Sequence, residues 1–207
     1  MLQEWRAINN LQHHNSQAAA AAVVIHNNQP SSFASNPHQQ LQNPALLCWQ
    51  RPRVGWWKCN VDASFSQSPC SSGWSWCVRN SDGSFIAAGT NSCRHNLSVH
   101  EGEAIAILEA MREASSRGWS NIIFESDSKV VVDAIKAISP GRSELCSIIC
   151  EIKTLLQNNS NFEVKFTKRQ ANMVAHTLAR AAISWSSRIY LNSIPPCIKH
   201  FIINEMS

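Results

Sequence analysis

Over residues 55–66 the chain alternates, with Trp57, Cys59, Val61, Ala63 and Phe65 on one side and Lys58, Asn60, Asp62 and Ser64 on the other. A two-residue period sends successive side chains to opposite faces of an extended backbone, so this stretch reads as a half-buried strand. A turn through Ser68-Pro69-Cys70-Ser71-Ser72-Gly73 leads to a second strand at 74–79, and Asn80-Ser81-Asp82-Gly83 joins it to a third at 85–92. Consecutive strands on short turns make an antiparallel meander. From residue 100 the period becomes helical: Ala104, Ile107, Met111 and Ala114 share one face, with Glu109, Arg112, Glu113 and Ser116 opposite, and Gly118 closes the helix. A short buried strand follows at 121–125, then helices over 126–138 and 144–156, a strand at 162–167 and a last helix over 171–187. That switch of period constrains the chain more than any other property. A meander feeding right-handed β-α-β crossovers gives an α/β fold, with a five-stranded mixed sheet and helices on both faces.

Composition enters through its unevenness. Residues 1–47 carry only two charged side chains, Glu4 and Arg6, among Asn, Gln, His, Ala and Ser. Too few large apolar groups are present there to offset the entropy of ordering, so a low-complexity, disordered leader is expected, with the folded domain at 48–207. The longest apolar run, 18–25, is eight residues, against the roughly 20 that a membrane span needs. A single basic residue precedes it, which does not make a secretory signal. The cysteines form no CxxC pair and no zinc-finger spacing, and several lie in apolar stretches as free thiols do. The expectation is a monomer in a reducing compartment, nucleus or cytoplasm, with no membrane partner.

Acidic residues stand where local structure does not call for them. Asp62 lies mid-strand, where Asp is depleted. Asp127 follows a buried strand at its carboxyl end, where α/β sheets gather their ligand sites. Glu103 lies one turn before Ile107 and so opens the helix face that packs on the sheet. Each also has a plain structural reading: a helix-start acid for Asp127 and Glu103, and a chance strand acid for Asp62. Together, carboxylates converging at one sheet end repel each other unless cations neutralise them, and hard oxygen donors select Mg²⁺ or Mn²⁺.

The motifs then carry a resemblance. Trp49-x-x-Pro52-x-x-Gly55-x-x-Lys58-x-Asn60-x-Asp62-Ala63-Ser64 opens it, and Gly73 with Val78-Arg79-Asn80-x-Asp82-Gly83 continues it. Glu103-Ala104-x-Ala106, Glu125-Ser126-Asp127-Ser128 and Arg169-x-x-Asn172-x-x-Ala175-His176-x-Leu178-Ala179 follow in order, with a tail at Trp185 and Ile194-Pro195-Pro196. The whole resembles the ribonuclease H type 1-like domains of plant retrotransposon-derived proteins. The resemblance implies a ribonuclease H-like fold and two-metal hydrolysis of the RNA strand in RNA–DNA hybrids, leaving a 3′-hydroxyl. It implies two Mg²⁺ or Mn²⁺ ions held by Asp62, Glu103, Asp127 and His176. Asp62 would bridge both ions, and Glu103 rather than Glu101 would face them. Catalytic members commonly have Asp where this chain has His176. Imidazole is a softer, neutral ligand, so His176 reads either as a weaker ligand or as a relic of catalytic decay.

Charge is segregated along the chain. Residues 101–133 hold seven acids against three bases, a net of −4, whereas residues 165–188 hold five bases and no acid, a net of +5. An acidic metal pocket beside a basic flank suits a polyanion; the plain alternative is a solvated face. Lys168 and Arg169 are the leading phosphate contacts, with Asn172 and Arg180 beside them on the last helix. An RNA–DNA hybrid read by groove shape and 2′-hydroxyls is the expected partner. A catalytically weakened nucleic-acid-binding module and a retroelement fragment remain the other readings.

Overall fold

The computed structural model describes residues 48–67, 70–95, 97–137, 144–185 and 187–206. The low-complexity leader of residues 1–47 and residues 68–69 of the first turn lie outside them. The meander comprises β1 (Trp57–Gln67), β2 (Cys70–Arg79) and β3 (Phe85–Cys93), followed by helix α1 (Val99–Ser116). Then come β4 (Ile122–Ser126), α2 (Lys129–Lys136), α3 (Glu144–Asn158) and β5 (Phe162–Phe166). A 3-10 turn (Arg169–Asn172) leads into α4 (Met173–Ser184), and β6 (Ile189–Leu191) and α5 (Lys199–Met206) complete the chain.

The strand order is β5-β4-β1-β2-β3-β6. β1, β2 and β3 pair antiparallel, β4 joins β1 in parallel, and β5 joins β4 in parallel. This is the expected meander with crossovers, but among the described residues the sheet has six strands rather than five. The extra one, β6, pairs antiparallel with β3 through only three residues. A three-residue strand is too short to establish a period, and its partner alone makes it a strand.

Helices cover both faces. On one, Ile107 and Met111 of α1, Val132 of α2 and Ile149 and Ile152 of α3 pack over Val61 and Phe124. On the other, Val174 and Leu178 of α4 pack with Ile198 and Ile202 over Cys77 and Ala88. The central β1 is therefore buried on both sides, contrary to the half-buried reading. Asn60 and Asp62 are as fully enclosed as Val61, because α4 lies across the side that alternation assigned to solvent. The last helix also starts later than expected, after the 3-10 turn, and β2 begins at Cys70, inside the expected turn. Trp74 and Trp76 are core residues. The eight cysteines form no disulfide.

Two glycines set how closely the helices approach the meander. A Cβ on Gly102 of α1 would meet the Phe65 ring at 2.6 Å, and one on Gly73 of β2 would meet the Ala179 carbonyl of α4 at 2.7 Å. Both helices thus sit nearer the strands than any larger residue permits. Each carries a candidate site residue next to that approach, Glu103 on α1 and His176 on α4.

Candidate active site

Three elements converge where β4 ends beside the middle of β1. β1 presents Asp62 from its centre, α1 presents Glu103 from its first turns, and the connection after β4 presents Asp127. Their carboxylate oxygens lie within 4.8 Å of one another, with Asp62 and Glu103 buried. α1 delivers Glu103 inward on the buried face it shares with Ala104 and Ile107, and Glu101, two positions earlier, lies on the other side of the helix. Glu101 forms a capping box with Ser98, accepting from the Ser98 backbone N–H at 2.9 Å, which directs it away from the cluster.

The buried acids hold protons tightly. Burial first, and then the neighbouring charges of Asp62 and Asp127, together push the Glu103 carboxyl up from 4.5 to about 9. Burial also raises Asp62, from 3.8 to about 6, opposed by its hydrogen bond with His176. Asp62 Oδ1 and Glu103 Oε2 are buried without a hydrogen-bond partner. Orphaned carboxylate oxygens on converging acids cost free energy unless a cation or proton meets them. All are hard oxygen donors. The residues present therefore fit a divalent cation of the Mg²⁺ or Mn²⁺ type.

His176 joins the group through Asp62, its Nδ1 lying 2.8 Å from Asp62 Oδ2. Arg169 leans over both: its guanidinium is 3.4 Å from Asp127 Oδ2, and one terminal nitrogen is 3.1 Å from each His176 ring nitrogen. A nitrogen equidistant from both ring nitrogens sits against the ring rather than on one lone pair. Arg169 is exposed, Lys168 is half-buried and Arg180 is exposed on α4. These three keep solvent-accessible side chains.

Asn172 does not. It was expected at the nucleic-acid surface, yet it is fully buried. Its side-chain amide donates to the Val61 carbonyl at 2.9 Å and lies 3.4 Å from Asp127 Oδ1, while its Oδ1 accepts from Asn60 at 3.1 Å. The 3-10 turn before α4 turns the side chain inward, toward β1, and so makes it a support for Asp127. Sequence reading also missed the buried polar partners beneath the acids. Lys58 and Glu125 pair at 2.8 Å, and Asn60 donates to Glu125 at 3.2 Å. The available signal was the face of β1 that Lys58 and Asn60 share with Asp62, which had been assigned to solvent.

Comparison with known proteins matches this architecture. No curated protein matches the chain by sequence. Among solved structures, RNase H1 from the halophilic archaeon Halobacterium salinarum is similar, with a TM-score of 0.57 at 19% identity, covering 63% of this chain and 98% of its own. The N-terminal RNase H domain of a Mycobacterium tuberculosis protein has a TM-score of 0.55 at 18% identity, covering 62% of this chain and 93% of its own. LC11-RNase H1 in complex with an RNA/DNA hybrid also has a TM-score of 0.55, at 14% identity, covering 62% of this chain and 96% of its own. At such identities these likenesses establish the fold. The sequence model of the reverse transcriptase-like family matches residues 60–182, a span that includes all four candidate site residues. The chain belongs to that reverse transcriptase-like family, and residues 60–182 form an RNase H-like domain.

Proposed function

We propose that this protein is a metal-dependent endoribonuclease that hydrolyses the RNA strand of RNA–DNA hybrids. The observation that carries this reading is the convergence of Asp62, Glu103 and Asp127 to within 4.8 Å, with carboxylate oxygens left unpartnered. Similarity to a hydrolase fold, including one protein seen with an RNA/DNA hybrid, supports it. Asp62, Glu103 and Asp127 would hold the divalent ions, two in number, with His176 as the fourth ligand. When bound, such ions lower the pKa of the attacking water and neutralise the leaving oxygen.

The chain's own groups do the rest. Asp62 and Glu103 meet the cations with oxygens that nothing else satisfies, and they release their protons as they do so. Asn172 holds the Asp127 carboxylate in position by its amide, and His176 orients Asp62 through Nδ1. Lys168, Arg169 and Arg180 grip phosphates. Arg169 would exchange its contact with Asp127 for a phosphate oxygen, to which a guanidinium can donate in a bidentate manner. Groove shape and 2′-hydroxyls select the hybrid, so no sequence preference is expected.

Labelled RNA–DNA hybrid incubated with the protein in Mg²⁺ and in Mn²⁺ tests the reading. Cleavage in at least one metal, lost in Asp62→Asn, supports it. Folded protein inert in both metals, with Asp62→Asn indistinguishable from it, overturns it. One observation favours a second reading, a hybrid-binding module with weakened metal competence. The His176–Asp62 contact ties up a carboxylate oxygen that a metal needs, and a neutral ring adds no charge to hold one. In that case hybrid binds without turnover, and His176→Asp restores cleavage.

A further inference from the structure

Beneath the acids runs a continuous line of buried polar side chains that leads away from the site to the far end of the chain. Arg79, at the end of β2, is 1% exposed, a rare condition for a guanidinium. One terminal nitrogen pairs with Glu205 of α5, whose side chain is 14% exposed, and the other donates to Asn60 Oδ1 at 3.0 Å. The guanidinium also lies 3.5 Å from the centre of the Trp49 ring, which covers its face. Asn60 then passes the constraint on. With its Oδ1 committed to Arg79, its amide nitrogen must donate, and it does so to Glu125 at 3.2 Å and to Asn172 Oδ1 at 3.1 Å. Asn172 is thereby fixed with its own amide toward the Val61 carbonyl and Asp127.

An Asn side chain has a donor end and an acceptor end of nearly equal size, so only its partners decide which way it points. Asn60 and Asn172 are consecutive members of such a chain: Arg79, which only donates, fixes the acceptor end of Asn60, and the Glu125 carboxylate and Val61 carbonyl, which only accept, hold the donor ends of the two amides in the same sense. We propose that α5 is a working part of the candidate site: Glu205 anchors Arg79, which sets the orientation of Asn60 and Asn172 and so the placement of Asp127. Arg79, Asn60 and Asn172 are positioning residues, and Glu205 is the anchor at the end of the line. α5 lies outside residues 60–182, the stretch that matches the family. The structural neighbours described above cover about the same share of the chain. This inference rests on the proposed metal role for Asp127, while the orientation of the two amides can be read without any metal.

The experiment compares full-length wild type with Glu205→Gln and Glu205→Ala. Glu205→Gln keeps shape and removes only charge, so it serves if the alanine variant fails to fold. The first readout is the side-chain amide signals of Asn60 and Asn172 in ¹H–¹⁵N spectra of the metal-free protein. Displaced signals in either variant, with those of remote Asn159 unmoved, support the inference. Unchanged signals in a folded variant overturn it. The second readout is Mn²⁺ binding, followed by calorimetry. Removing a partner that orients a metal ligand weakens binding by roughly 10- to 100-fold; Glu205 acts at a remove, so a loss near the lower end is expected. The same substitution in an Asp127→Asn background should add little. Equal losses in both backgrounds show that Glu205 does not act through Asp127 and overturn the inference. Absent cleavage alongside displaced amide signals overturns the hybrid-nuclease reading and leaves the anchor intact.

Discussion

Asp62 and Glu103 are the residues on which the site's chemistry turns, since both are buried acids that the fold holds above their ordinary proton affinity. Between 4.5 and about 9 the folded chain keeps on Glu103 a proton that the unfolded chain has released. Asp62 does the same between 3.8 and about 6. Rising pH therefore favours unfolding through those windows, and the metal-free protein loses stability as pH climbs. The thermal midpoint of chelator-treated protein should fall between pH 6 and pH 9, and Glu103→Gln should flatten that fall. A flat profile for wild type would show that the acid is not held above its ordinary range. Asn172 illustrates how little a single residue's chemistry reveals in isolation. As a polar residue beside Arg169 it suited a nucleic-acid surface, but its neighbours in space are Asn60, Val61 and Asp127. Those come from other elements, so no local pattern encodes them.

At the scale of elements, the meander and α1 were legible because their periods are long enough to repeat. Cys59, Val61 and Ala63 occupy the inner face that alternation assigned to them, and Ile107 and Met111 the inner face of α1. The polar face of β1 was misread for a physical reason. Alternation reports that two faces differ, not that one of them meets water, and here Asn60 and Asp62 meet α4. The approach of α4 depends on Gly73. A Cβ at that position would lie 2.7 Å from a backbone carbonyl, which has no rotamer by which to yield. Gly73→Ala should therefore force strand and helix apart and cost about 1–3 kcal/mol, as overpacking commonly does. Denaturant titration would measure that loss, and a larger fractional loss of hybrid cleavage should accompany it as His176 withdraws from Asp62. Stability within error of wild type would show that the helix is not seated as tightly as its backbone suggests.

Over the whole molecule, the modest net charge of +4 conceals an acidic stretch at residues 101–133 and a basic one at residues 165–188. Hybrid binding should accordingly weaken steeply with salt. Arg169→Ala should lower the slope of log affinity against log salt by about one, as the loss of one phosphate contact does. Fluorescence anisotropy with labelled hybrid measures this, and an unchanged slope would remove Arg169 from the phosphate contacts. Among the described residues no helix is long and apolar enough to cross a membrane. The α/β class and the order of its elements as far as α4 were readable from the chain, because period is a local property. The sixth strand, the burial of both faces of β1, the inward turn of Asn172 and the line from Asp127 to Glu205 were not. Each depends on residues far apart in sequence, such as Arg79 and Glu205, that become partners only after helices have closed over both faces of the sheet. Sequence by itself determined the periods that place acidic and basic side chains on particular strands and helices. Tertiary structure alone decided which of them meet, because burying a polar group requires a partner, and the partner is chosen by packing.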